Sequence, residues 1–181
     1  MELNSSSPAD RFFYLSNAEC FILATNQFHM SAIFSSDLPI ALGADHAGFA
    51  FKREIIGWLN AQGLTTTDLG TFSEDSVDYP DFAHPVCTMV ETGKAAFGIL
   101  FCGSANGVAM TANKHAGIRA GLCWLNEVAS LVRQHNNANV ICIPARFVSL
   151  DDAKTMINTF MTTAFEGGRH ENRVNKIACQ S

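Results

Sequence analysis

The sequence holds six cysteines, Cys20, Cys87, Cys102, Cys123, Cys142 and Cys179, but no C-x-x-C pair. No Cys/His spacing in it suits zinc, so neither a zinc-stapled module nor a dithiol redox centre is expected. Long apolar runs are missing too. None approaches the ~20 residues that span a bilayer, so no membrane partner is expected. Positive charge is scarce, with 12 Lys and Arg against 17 Asp and Glu and a net charge of −5. A chain of that balance offers no electrostatic reason to bind nucleic acid or an anionic membrane. Neither a G-x-G-x-x-G fingerprint nor a Walker loop occurs, and no nicotinamide or metal motif competes for the glycines. No cofactor and no metal are therefore expected.

What is present points to one folded unit. Hydrophobic residues make up 48% and charged residues 16%, which fits a compact core and argues against long disorder. Cys123 and Cys142 lie inside apolar runs and read as small core residues. This cysteine usage suits a reducing compartment, so a cytoplasmic place is expected. Residues 1–37 lack periodicity and open with Ser5-Ser6-Ser7-Pro8. With only Arg11 for a basic region they fit neither a secretory nor a mitochondrial leader, and they read as a poorly ordered N-terminal extension. Met30, just before organised sequence begins, is a candidate natural start. Residues 38–181 form the second assigned segment, with no linker or internal repeat inside it.

From Leu38 the pattern alternates. Strands are predicted at Pro39–Gly43, Thr65–Leu69, Ala95–Cys102, Ile118–Trp124 and Asn139–Ile143. Helices are predicted over Gly48–Gln62, stopped by Gly63, and over Pro80–Glu91, Val108–Lys114, Asn126–His135 with Asn126 as cap, Asp151–Phe165, and from Gly167 onward. Strands alternating with helices imply right-handed crossovers and a five-stranded parallel sheet covered on both faces, a Rossmann-like α/β three-layer sandwich. In such sheets ligands sit beyond the carboxyl ends of the strands.

Three predicted strand ends carry reactive groups. Asp45-His46 follows the first, and the pair reads equally as a helix cap. Cys102 closes the third and opens the small-residue turn Gly103-Ser104-Ala105-Asn106-Gly107. Backbone N–H groups at such a turn before a helix attract anions, and the same field lowers a thiol's pKa. Arg146 follows the fifth strand. His135 sits at a predicted helix end, as a cation favoured there by the macrodipole or as an acid, with Asn136 or Asn137 able to form a left-handed cap. Arg169 and Arg173, spaced i, i+4, share a helix face after two glycines. His84 and His115 offer no spacing argument. A base, an acid, N–H donors and arginines are what proton abstraction alpha to a carbonyl in a phosphorylated sugar requires.

Gly43-Ala-Asp-His-Ala-Gly-Phe49, Asp78-Tyr-Pro80, Cys102-Gly-Ser-Ala-Asn-Gly107, Ala112-Asn-Lys114, Gly117-Ile-Arg-Ala120, Arg133-Gln-His-Asn136 and Gly167-Gly-Arg-His170 stand in this order. Together they resemble the ribose-5-phosphate isomerase B family, sugar-phosphate isomerases that also include galactose-6-phosphate isomerase subunits. The resemblance runs from about Ile40 to Ala178 and implies metal-free interconversion of ribose 5-phosphate and ribulose 5-phosphate through an enediolate. It implies Cys102 as the base, His135 as the ring-opening acid, and Ser104 with the N–H groups of Gly103, Ser104, Ala105, Asn106 and Gly107 as the enediolate site. Asp45, His46, Tyr79 and Asn136 become sugar contacts, and His46, Arg146, Arg169 and Arg173 become phosphate contacts. A homodimer, or a tetramer, with each site built from two subunits is implied as well.

Two departures stand out. Some members carry a glutamate base where this chain has Val108, which leaves the thiol without an evident substitute. Ala105 replaces a usual glycine and costs about 1–2 kcal/mol if its φ is positive. Other readings are an isomerase of a hexose or tetrose phosphate, a non-catalytic phosphosugar-binding protein, and a flavodoxin-like nucleotide binder. The last would leave Cys102, His135 and the paired arginines unexplained.

Overall fold

The computed structural model describes residues 33–178. Most of the N-terminal extension, with Met30, lies outside them, as does Cys179. The elements run β1 (Ile40–Ala44), α1 (Phe49–Ala61), β2 (Thr66–Asp68), α2 (Pro80–Glu91), β3 (Gly98–Cys102), α3 (Asn106–Ala112), β4 (Ala120–Leu122), α4 (Asn126–Asn136), β5 (Val140–Pro144), α5 (Leu150–Thr162) and α6 (Arg169–Val174). The strands form one sheet in the order β2-β1-β3-β5-β4, with every pairing parallel. The expected α/β three-layer sandwich is present.

Strand alternation builds the two faces. Ile40, Leu42, Ile99, Phe101, Ile141 and Ile143 point to the layer of α1, α4 and α5. Ala41, Leu100, Cys102, Val140 and Cys142 point to the layer of α2 and α3. All five residues in each of β1, β3 and β5 are buried, as a parallel sheet covered on both sides requires. The order reverses between β1 and β3: the chain leaves β1 toward β2 on one side and builds β3, β5 and β4 on the other. Crevices at such a switch point bind ligands. Asp45 leaves β1 there and Cys102 ends β3 there.

Local chemistry explains the ends of the elements and corrects several expected bounds. Ser149 and Asp152 form a capping box at α5, so that helix starts earlier than expected and ends at Thr162. Asn126 is not the cap of α4. Leu125 holds that position, and Asn126 Oδ1 accepts a 2.6 Å hydrogen bond from the Thr159 hydroxyl instead. Asn137 is the left-handed cap at the other end, with φ 47°. Helix α3 begins at Asn106, inside the expected turn. Phe34 falls in the segment read as extension, yet its ring lies 4.7 Å from Phe97 and 5.9 Å from Phe160, so core packing begins before residue 38.

Two buried cations tie the frame. The Lys52 ammonium pairs with Asp68 at the end of β2. Arg133 is 3% exposed and lies over Phe34 and Phe160. It donates to Asn137 Oδ1 and to the carbonyls of Ala138 and Thr163. Burial, with Arg119 nearby, lowers its pKa to about 10. Ala138 lies just past the end of α4, the helix that carries His135, and Thr163 caps α5, so Arg133 ties the two helix ends together.

Candidate active site

A cavity of about 350 Å³ opens at the switch point, lined by Asp45, His46, Ala47, Cys102, Gly103, Ser104, Arg146 and Phe147. Each polar side chain there leaves the carboxyl end of a strand. Asp45 is 6% exposed and Cys102 8%. The Cys102 thiol donates to Asp45 Oδ2 at 2.9 Å, while Asp45 Oδ1 accepts the Gly48 N–H at 3.0 Å. Asp45 therefore both closes the turn that leads into α1, whose cap position is Gly48, and belongs to the site. His46 Nδ1 accepts the Val77 N–H at 3.4 Å, which ties the ring to the loop before α2.

The thiol differs from its expected state. Its pKa is raised, first by burial, then by the hydrogen bond to Asp45 and the charge of that carboxylate. The N–H groups of Ala105 and Ser104 pull the other way and are outweighed. A seven-residue helix sums few peptide dipoles, so the field expected to acidify Cys102 is small beside an adjacent carboxylate. The other described thiols are more deeply held. Burial pushes Cys87 and Cys123 up to about 12, and Cys142 goes well above the ordinary range. Among these, Cys102 alone faces a cavity.

The turn after Cys102 has a definite shape. Ala105 is buried with φ 58° and ψ 0°, the left-handed conformation that alanine adopts only with strain. A Cβ built on Gly103 would come within 3.3 Å of Arg146 Nε, so the bare glycine lets the guanidinium lie against the turn. The Arg146 N–H also donates to the Gly103 carbonyl at 3.2 Å.

Not every expected residue joins this cavity. The Tyr79 ring packs on Gly107 at the start of α3, where a Cβ would sit 2.6 Å from Tyr79 Cζ. Asn106 faces a separate depression with Ala109, Met110, Asn113, Lys114, Ala120 and Leu122. His135, Asn136, Arg169 and Arg173 form a second cluster at the corner of α4 and α6. Both arginines are exposed there. The His135 ring stacks on His170 with centroids 4.3 Å apart and planes 3° from parallel. Glu166 Oε2 lies 3.8 Å from the Nε2 atoms of both rings. His170 has its pKa lowered by burial first, then by His135, Arg169 and Arg173. The three side chains make the group of metal-ligating type found among the described residues.

The sequence reading missed Glu166 and His170. Their i, i+4 spacing was the available signal, obscured by the glycines between them. It also left His84 and His115 apart. Their nitrogens lie 2.9 Å from each other, and His115 Nδ1 lies 3.1 Å from Glu91 Oε2. Glu91 in turn accepts the Gly117 N–H at 2.8 Å, and these bonds hold its carboxyl below the usual range. No helix among the described residues is long and apolar enough to cross a membrane.

A switch-point thiol beside N–H donors, hydrogen-bonded to a buried carboxylate and with an arginine lining the same cavity, marks an α/β enzyme that handles small oxygenated anions. Comparison with known proteins agrees. Residues 40–177 match the Ribose/Galactose Isomerase family, and the chain belongs to that family. It is 43% identical over 138 residues to ribose-5-phosphate isomerase B of Escherichia coli, covering 76% of this chain and 93% of that one. The solved ribose 5-phosphate isomerase of Thermotoga maritima superposes with a TM-score of 0.77 at 43% identity, covering 78% of this chain and 97% of that one. The Mycoplasma genitalium ribose-5-phosphate isomerase B with bound ribulose-5-phosphate gives a TM-score of 0.76 at 39% identity, covering 79% and 95%.

Proposed function

We propose that this isomerase interconverts ribose 5-phosphate and ribulose 5-phosphate, with Cys102 as the base that moves a proton between C2 and C1. The observation that carries the reading is the Cys102–Asp45 pair, a thiol 2.9 Å from a buried carboxylate inside the switch-point cavity. The relatives named above act on or hold this pair of sugars, which supports the choice of substrate.

Geometry assigns Asp45 its part: its Oδ2, which accepts the thiol hydrogen bond, is also placed to accept a hydroxyl from a sugar in the cavity. When a hydroxyl donates to Asp45 Oδ2, the thiol loses its acceptor. The N–H groups of Ser104 and Ala105, which already favour its anion, are then opposed by one cause fewer. The thiolate, formed as the thiol proton passes to solvent, takes the C2 proton of the open aldose, and the electron pair moves into an enediolate. Ser104 and the backbone N–H groups of residues 103–107 stabilise the developing charge. The thiol returns the proton to C1 while the hydroxyl proton passes from O2 to O1, which completes the ketose.

Ring opening precedes this step. His135 is the acid that protonates the ring oxygen, and Asn136 and Tyr79 contact the sugar. Arg146 and His46 at the cavity, with Arg169 and Arg173, hold the phosphate by charge-assisted bonds. The His135–Arg173 corner and the Cys102 cavity are separate regions of one protomer. That separation supports a homodimer whose sites each combine one protomer's cavity with its partner's corner. The cysteine usage supports work in a reducing cytoplasm, in pentose phosphate metabolism.

The test is an initial-rate panel of pentose, tetrose and hexose phosphates with and without a chelator. Ribose 5-phosphate is expected to give the highest kcat/KM, unchanged by the chelator. Preference for a hexose or tetrose phosphate, or activity lost with the chelator, contradicts the reading.

A further inference from the structure

The corner of α4 and α6 carries more than an acid and two phosphate ligands. His135, Glu166 and His170 offer three ligand atoms that lie within 4.8 Å of one another. Their placement is built by the backbone. The Glu166 N–H donates to the Gln134 carbonyl at 3.0 Å, pinning the carboxylate beside the end of α4. Gly167 and Gly168, with φ 65° and 56°, turn the chain back so that the His170 ring returns over His135. Only glycine enters such a double turn without strain.

We propose that His135, Glu166 and His170 form a site for a borderline divalent transition metal, zinc above all, whose occupancy switches off ring opening by holding the His135 imidazole. Two imidazoles and one carboxylate select zinc, nickel or copper over magnesium and calcium, which prefer all-oxygen shells. Zinc bonded to such donors at 2.0–2.2 Å sets neighbouring ligand atoms about 3.4 Å apart. Glu166 Oε2 stands 3.8 Å from each ring nitrogen, so those two separations need shrink by only a few tenths of an ångström. The parallel rings aim their lone pairs side by side, so one ring must turn to converge. His170, with 8% side-chain exposure, is the fixed member; His135 at 38% and Glu166 at 51% have room to move. Against binding stand the charges of Arg169 and Arg173, and the 3.4 Å approach of Arg169 Nε to His170 Nε2, which the metal displaces.

The switch rests on the reading of His135 as the ring-opening acid, and that gives it a direction. Ribose 5-phosphate arrives as a closed ring. Ribulose 5-phosphate has its carbonyl at C2 and its C5 oxygen phosphorylated, so it has no furanose to open. A metal on His135 therefore slows ribose 5-phosphate consumption and spares ribulose 5-phosphate consumption. A metal captured by Cys102 slows both.

The site is tested first by titrating the metal-free full chain with cobalt(II) and reading its visible ligand-field absorption. The expected result is a band without thiolate-to-cobalt charge transfer, with affinity weakened at least ~10-fold in Glu166→Gln and in His170→Asn. Glu166 is exposed, so Glu166→Gln keeps the test valid if His170→Asn fails to fold. No band, a thiolate band, or equal affinity in Glu166→Gln overturns the site. Initial rates with zinc at saturation are then measured in both directions. A fall of about tenfold or more with ribose 5-phosphate, and little change with ribulose 5-phosphate, supports the switch. A cobalt band that needs Glu166, joined to unchanged ribose 5-phosphate turnover, overturns the switch and locates the failure in His135 as acid.

Discussion

The switch-point cavity and the corner of α4 and α6 carry complementary chemistry in opposite physical states. The cavity is buried and anionic at its centre: Asp45 and Cys102 are less than a tenth exposed and hydrogen-bonded to each other. The corner is open and cationic, with Arg169 and Arg173 exposed around the stacked pair of His135 and His170. A proton-transfer group gains from fixed dipoles and excluded water, so it belongs in the first setting. Groups that capture a phosphate and open a ring can wait in the second and lose their water when a partner surface closes over them. The contrast suits two half-sites that assemble, rather than one complete site.

The sharpest way to break this division is to empty the cavity of its proposed base. Cys102→Ala is expected to lower kcat by about a thousandfold, within the range for a lost general base, while KM stays within a few fold. Steady-state rates and substrate binding measured together check this, and a large rise in KM at constant kcat would move Cys102 into the binding set.

Next in size is the corner's contribution to binding. Arg173→Ala removes the proposed phosphate contact, worth about 1.5–3 kcal/mol if charge-assisted, so KM is expected to rise roughly 10- to 100-fold with kcat nearly preserved. If kcat falls and KM does not, the corner acts on the reaction itself and the division fails.

The cavity's internal balance predicts a pH effect. In the proposed mechanism the reactive form is the thiolate, so activity is expected to rise with pH as Cys102 loses its proton. Burial and then Asp45 hold that pKa up in the free enzyme, which sets the limb of kcat/KM at high pH. Substrate on Asp45 removes the carboxylate's hold, so the limb of kcat is expected at lower pH than that of kcat/KM. Asp45→Asn removes the charge and is expected to shift the kcat/KM limb toward lower pH. Paired pH profiles of wild type and variant check both signs.

The smallest effect concerns the strained turn. Ala105 at φ 58° carries about 1–2 kcal/mol of strain. Ala105→Gly relieves it, loses roughly 0.8 kcal/mol of buried methyl, and adds about 0.4–1 kcal/mol of unfolded-chain entropy. These terms nearly cancel, so denaturant unfolding is expected to show a change below about 1 kcal/mol. A large stabilisation would mean that the turn is more strained than its dihedral angles imply.

The sequence made the sheet legible because strands buried on both faces read as unbroken apolar runs, as in Ile99-Leu100-Phe101 and Ile141-Cys142-Ile143. It also placed Asp45, Cys102 and Arg146 at strand ends, and the fold gathers all three into one cavity. The sign of the Cys102 shift was not legible. It depends on a hydrogen bond between residues 57 positions apart, which no local pattern records. Glu166 and His170 were equally hidden, because two positive-φ glycines bring them under a histidine from another helix.

Subunit mixing tests the claim that two protomers share each site. Cys102→Ala and His135→Asn are purified separately, each nearly inactive, then unfolded, combined in equal amounts and refolded. If each site takes Cys102 from one protomer and His135 from its partner, every mixed dimer regains one intact site. Random pairing then restores about one quarter of wild-type activity. Activity that stays at the level of the separate variants, in a preparation shown to contain mixed dimers, contradicts the account.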